Sequence, residues 1–265
     1  MGMGDGNLRR GTAIAAVRIG KASKQSMRRF YSTTFTETSV TLDAGETRHL
    51  RDVLRLKTGD EIAVFDGEGS EFLCRIETVG KKESTAAIIN KIEPSAPESP
   101  LQLALASVVI PGDKYDLIVQ KAVELGVTKF VPLASMRSEV KLKDLPKKLV
   151  RWRRIALDAS KQCGRARLMS IEEPQNVADF LAETSKHDCP KIFFSEREGA
   201  KLPDLNAPKQ LITVIGPKGG WDDTELKTAQ ANDLSIVTLG GRIMRAETAA
   251  IALTAILQHR FGDVN

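Results

Sequence analysis

Aromatic residues make up only 5% of this 265-residue chain. Base stacking on aromatic rings therefore cannot be a widespread mode of recognition. There are three histidines, His49, His187 and His259, too far apart in sequence to suggest a catalytic cluster. Cysteine is also scarce: Cys74, Cys163 and Cys189 are odd in number, distant, and form no CxxC pair. That excludes the spacing of a zinc site and suits a reducing compartment. No apolar run approaches the roughly 20 residues of a membrane-spanning helix. The expectation is a protein with neither metal nor membrane partner.

What is present is charge, unevenly placed. The net charge is +5, yet residues 1–36 hold seven basic residues (Arg9, Arg10, Arg18, Lys21, Lys24, Arg28 and Arg29) against Asp5 alone. The remaining 229 residues are close to neutral, at −1. A basic pI is thus no evidence for a nucleic-acid-binding body, and any such footprint must be a local patch. The first 36 residues are also rich in Ser, Thr and Ala, the composition of an organelle transit peptide. Arg28-Arg29-Phe30-Tyr31-Ser32 looks like a presequence cleavage region, with a mitochondrion favoured over a chloroplast. A basic tail that touches RNA, on a cytoplasmic protein, is the other reading.

Residues 37–95 carry strand-like runs at 39–42, 61–65, 70–78 and 84–92, separated by glycine turns, which suggests a small β-barrel. One helix is expected over 46–56. Pro94, Pro97 and Pro100 mark a domain boundary, because proline suits neither helix nor central strand. From about 100 to 265, short apolar strands alternate with helices, the pattern of a parallel sheet covered on both faces. Ligands in such α/β sheets bind at loops leaving the carboxyl ends of strands.

Two such loops stand out. After the strand at 211–215 comes Gly216-Pro217-Lys218-Gly219-Gly220-Trp221-Asp222, and Asp222 with Glu225 has capping-box spacing. It matches neither the Walker pattern nor the dinucleotide GxGxxG. After the strand at 235–239 comes Gly240-Gly241-Arg242-Ile243-Met244-Arg245-Ala246-Glu247, leading into a helix. Each loop alone reads equally as a tight turn or as a site whose glycines let backbone approach a ligand.

Together, in this order, the two loops resemble the RsmE-type ribosomal RNA methyltransferases of the SPOUT class. Three further blocks extend the resemblance over nearly all of 37–265: 115–138, 152–165, and the first module with His49 and Val53-Leu54-Arg55. Lys218 departs from the family's usual Glu, Met244 from its Leu, and Leu168-Met169-Ser170 lacks its usual proline. The resemblance implies a PUA-like RNA-binding barrel over 37–95, then a SPOUT domain over 100–265 with a C-terminal trefoil knot. It implies S-adenosyl-L-methionine as cofactor, held by Ser195, Ile215, Gly216, Pro217, Gly219, Gly220, Leu239, Gly240, Arg242, Ile243 and Met244. It also implies small-subunit ribosomal RNA as substrate, methylated at N3 of a uridine, and a homodimer.

That nitrogen carries a proton, so the reaction needs a proton acceptor or a cation beside the developing charge. Arg245 and Arg165 are candidates for the cation, and Glu247 for orienting Arg245 or acting as base. A helix-capping role for Glu247 is the alternative. RNA contact is expected from Arg48, Arg51 and Arg55 on the barrel and from Arg154 and Arg167 on the second module; a solvated basic helix face is the competing reading. Two rival functions stand beside methylation of uridine: a non-enzymatic RNA-binding protein of the same fold, and a SPOUT methyltransferase acting on another RNA position.

Overall fold

The computed structural model describes residues 27–197 and 199–264. The chain divides between Ser95 and Ala96 into two compact units, and the division falls inside the proline-rich linker. Most of the basic leader, residues 1–26, lies outside the described residues.

The first unit is a curled six-stranded sheet. Its strands are β1 (Arg29–Tyr31), β2 (Thr34–Phe35), β3 (Ser39–Leu42), β4 (Glu61–Phe65), β5 (Glu71–Val79) and β6 (Ser84–Ile92), in the order β1-β4-β5-β6-β3-β2. Ser32, just past β1, donates its hydroxyl to the Thr41 carbonyl in β3, at 2.6 Å, so the two ends of the sheet approach each other. Inward side chains alternate as the pleat requires, and Phe30, Val40, Leu42, Ile62, Val64 and Ile76 meet in one core.

Two expectations are corrected here. The folded first unit begins before residue 37, inside the segment expected as a leader. β1 pairs in parallel with β4, and Phe30 is fully buried. The Arg29 guanidinium lies 2.7 Å from Glu71, both side chains buried. Composition suggested a leader because Arg29's partner is 42 residues away and invisible to a local reading. Nor is 46–56 one regular helix. Asp43 caps a short helix, α1 (Ala44–Arg48), by accepting from the backbone N–H of Gly45 and Glu46 at 2.8 Å each. The chain then widens into a π-turn at His49–Val53 and stops near Arg55, whose φ is 55°.

The second unit is an all-parallel sheet with helices on both faces. Its strands are β7 (Gln102–Val108), β8 (Val127–Ala134), β9 (Ser170–Ile171), β10 (Gln175–Asn176), β11 (Lys191–Phe194), β12 (Gln210–Ile215) and β13 (Ser235–Val237). They run β10-β8-β7-β12-β11-β13, with β9 also on β8. Its helices are α2 (Lys114–Glu124), α3 (Pro146–Cys163), α4 (Val177–Thr184), α5 (Asp223–Ala231) and α6 (Ala246–Phe261). Along β7, Leu103 and Leu105 face the core with Tyr115, Trp152 and Leu257 of α2, α3 and α6. Ala106 and Val108 face Phe180, Leu181 and Ala229 of α4 and α5. After the edge strand β13 the chain returns across the sheet, and α6 packs against α2 and β12. Helices α2, α3, α5 and α6 follow the alternation of strands with helices expected over 100–265. Helix α4 and the two-residue strands β9 and β10 were not anticipated.

Candidate active site

Strands β12, β11 and β13 are neighbours, and their carboxyl ends open side by side. Three loops leave them: 195–197, 216–222 and 238–245. They enclose a cavity of about 640 Å³, within the range of small-molecule sites. All eleven residues expected to hold the cofactor line it.

The loop after β12 is shaped by one aromatic. Trp221 is fully buried, stacks on Phe193 at 4.2 Å and donates its indole N–H to the Phe194 carbonyl at 2.7 Å. A Cβ on Gly216 would lie 2.8 Å from that ring, so only glycine fits beneath it. Gly220, at φ +71°, packs against the Glu196 side chain. Asp222 then starts α5 with the expected capping box: it accepts from the Thr224 N–H, and Glu225 accepts from the Asp222 N–H. The Thr224 backbone N–H first, then the Thr224 hydroxyl and Arg137, hold the Asp222 carboxyl below its ordinary value. Arg197, on the first loop, bonds the Trp221 carbonyl and Asp223, tying two loops together.

In the loop after β13, Gly240 takes φ +71°, where a Cβ would be strained. Arg242, Ile243 and Arg245 are exposed and Met244 is half-buried. Ile243, expected to hold the cofactor, stands at the cavity's rim, since 87% of that residue is exposed. Arg245 borders the cavity and makes no ion pair among the described residues.

Two candidate catalytic residues are displaced. Arg165 is buried and does not line the cavity. Its guanidinium donates to the carbonyls of Val123 and Val127, at 2.9 Å each, and forks onto Glu98 at 2.6–3.2 Å. It braces the turn at Gly126 and the linker, and no face is left for substrate. Glu247 also lies outside the cavity lining. It pairs with Lys114 at 2.8 Å, and that hydrogen bond is the main cause holding its carboxyl below the usual range. A carboxylate so engaged is a poor proton acceptor.

Among the expected RNA contacts, Arg51 is engaged: it forks onto Asp52 and donates to the Gly80 and Lys81 carbonyls. Those bonds leave Arg51 the most engaged of the arginines expected to contact RNA. Arg154 is 84% exposed with Asp158 at 4.0 Å, a pair too weak to occupy it. Arg48, Arg55 and Arg167 are exposed without an ion pair among the described residues. Sequence reading missed Glu196, the single acidic residue among the described residues lining the cavity. It belongs to no motif, and only the adjacency of β11 to β12 and β13 brings it there.

A parallel sheet with a glycine-walled cavity at three adjoining strand ends defines a cofactor-binding α/β domain. Residues 97–258 match the RNA methyltransferase domain family, and residues 42–89 match the PUA domain of RNA methyltransferases. The chain belongs to that RNA methyltransferase family. It is 33% identical to the ribosomal RNA small subunit methyltransferase E of Synechocystis, over 83% of this chain and 73% of that protein. To the Aquifex aeolicus protein of the same name it is 32% identical, over 87% of this chain and 98% of that protein. The crystal structure of the Neisseria gonorrhoeae ribosomal RNA small subunit methyltransferase E, bound to S-adenosyl methionine, superposes with a TM-score of 0.81. It shares 32% identity, covering 90% of this chain and all of that one. The expected architecture, a PUA-like barrel followed by a SPOUT domain, is thus the one observed.

Proposed function

We propose that this chain transfers a methyl group from S-adenosyl-L-methionine to N3 of a uridine in small-subunit ribosomal RNA. The observation that carries this reading is the cavity at the ends of β11, β12 and β13, walled by backbone where Gly216 and Gly220 leave no room for side chains. Backbone N–H and C=O groups there can pair with an adenine edge, and Ile215, Leu239 and Met244 offer apolar contact. The cofactor supplies an electrophilic methyl on a sulfonium. The chain's task is positioning, together with a cation at the nitrogen that loses its proton. Arg245 fills that role: it is exposed, borders the cavity and makes no ion pair among the described residues. With Glu247 held by Lys114, the proton leaves to solvent rather than to that carboxylate.

Calorimetry with S-adenosyl-L-methionine tests the reading first. No binding by the pure protein would leave only an RNA-binding role. Mass spectrometry of small-subunit RNA from cells lacking the gene then tests the atom: loss of N3-methyluridine is expected. Loss of a 2′-O-methyl mark instead would reassign the chemistry.

The functional unit is proposed to be a homodimer. Ile243 at the cavity rim, and Leu117 and Ile256 on the packed pair α2 and α6, are apolar side chains left uncovered by a single chain. The return of α6 across the sheet supports the trefoil knot expected of the class. Import into an organelle, with a mitochondrion favoured, is supported by the leader's composition. Any cut must fall before β1, because removal of Arg29 and Phe30 strips a core residue and leaves Glu71 buried without its cation. The mature N-terminus is therefore expected at or before Arg28, and N-terminal sequencing of the protein from isolated organelles checks it. A start beyond Tyr31, or cytosolic localisation of a fluorescent fusion, would overturn import as argued here.

A further inference from the structure

We propose that Lys218 and Arg242 form a phosphate clamp across the mouth of the cofactor cavity, gripping the backbone of single-stranded RNA beside the target nucleotide. The proposal rests on the methyltransferase reading above and extends it to residues with no assigned part in RNA binding.

The two side chains come from different loops. Lys218 belongs to the loop after β12 and Arg242 to the loop after β13, and both border the same cavity. Both are exposed; the Lys218 side chain retains 79% of its accessible surface. Neighbouring cations are engaged. Arg137 bonds Asp222 and the Gly219 carbonyl, and Arg197 bonds Asp223. Lys218 has only Glu139, at 3.9 Å and itself exposed, a pair that water and salt readily replace. Arg242 has no ion pair among the described residues. With Arg245, three cations face one mouth, against Glu196, which is 3.6 Å from Arg197.

A site that served only the cofactor would have little use for this arrangement. The cofactor brings one carboxylate, but also a sulfonium and an ammonium that a ring of cations repels. An RNA strand brings a phosphate on each side of the base that enters. Phosphate contacts fix register without reading sequence, and a guanidinium opposite a lysine ammonium suits a backbone crossing between them. This patch also concentrates positive charge of a near-neutral body at the mouth, where the strand must be held.

The test uses the full-length protein with a fluorescein-labelled polyuridine 20-mer, by anisotropy, at several salt concentrations between about 50 and about 200 mM, with and without S-adenosyl-L-methionine. For single strands each neutralised phosphate contributes about 0.7 to the slope of log affinity against log salt. Lys218→Ala and Arg242→Ala are each expected to lower that slope by about 0.7, and the double variant by about 1.4. In Lys218→Ala, calorimetric affinity for S-adenosyl-L-methionine should stay within about twofold. Lys218→Arg should restore the slope. Unchanged slopes in both single variants would overturn the clamp. So would a tenfold or greater loss of cofactor affinity with an unchanged slope, which would give the cations to the cofactor's carboxylate. Failure of the wild-type protein to bind S-adenosyl-L-methionine sinks the methyltransferase reading instead, while the slopes still report on the clamp.

Discussion

Two turns in the second unit begin alike, with a glycine followed by an arginine, and end in opposite states. At Gly164-Arg165 the glycine takes φ 91° to close α3, and the arginine turns inward. Two carbonyls and Glu98 consume its donors. At Gly241-Arg242, with Arg245 three residues on, the arginines stand in solvent at the rim of the cavity. The residue types do not differ, but the surroundings do. Next to Arg165 lie the carbonyls of Val123 and Val127 on either side of the Gly126 turn, buried and in need of donors. Arg242 and Arg245 instead border an open cavity and make no ion pair among the described residues. A buried guanidinium fully bonded is architecture; an exposed one without a carboxylate remains available for an anion.

Substitutions can break this comparison, and the largest effect falls on the inward turn. Arg165→Ala leaves Glu98 and two carbonyls without their donor, and should cost about 3–5 kcal/mol of stability. Chemical denaturation reads it, and Arg165→Lys should recover only part, because an ammonium cannot fork onto Glu98 and reach both carbonyls. The outward turn should show the reverse. Arg245→Ala is expected to lower kcat about 100- to 1000-fold with an unchanged unfolding midpoint. A loss below tenfold in single-turnover assays would remove Arg245 from the chemistry. Gly216→Ala sharpens the contrast between loop and side chain. Its new methyl meets the hydrogen-bonded Trp221 ring, and a destabilisation of about 1–3 kcal/mol is expected, accompanied by weaker cofactor binding in titrations.

The smallest effect should be that of Glu247→Gln. Lys114 holds this carboxyl below its ordinary value. Its pairing is therefore complete above the ordinary carboxylate range and is lost only as pH falls through the lowered value. The variant should keep its rate within tenfold of the parent across neutral and alkaline pH, less than loss of a general base would cost. A pH–rate profile that loses its acidic limb in the variant would instead make Glu247 the base.

How much of this was legible in the sequence depends on where the partners lie. The strand-end glycines, the capping box at Asp222 and the long helices are encoded locally, in period and spacing, and the eleven residues that the family resemblance implied for the cofactor line one cavity. The losses are non-local. Arg165 reads as a motif arginine until the chain folds Glu98 onto it from 67 residues away. Arg29 reads as leader until Glu71 is beside it. Glu196 carries no signal of its own, because its place in the cavity follows from strand order. The π-turn at His49–Val53 was missed for a different reason: a widened turn has nearly the apolar spacing of an ordinary helix.

The strand order also sets a timetable. Central strand β7 pairs with β12, so that Leu105 sits beside Thr213, roughly a hundred residues further along the chain. Contacts between such distant segments form slowly. As the chain emerges from a ribosome, or from a translocation pore, β7 must wait with the edge that β12 covers unpaired. The cavity's last wall, residues 238–245, comes later still. Cofactor affinity is therefore acquired at the end of folding and can itself report that folding has finished.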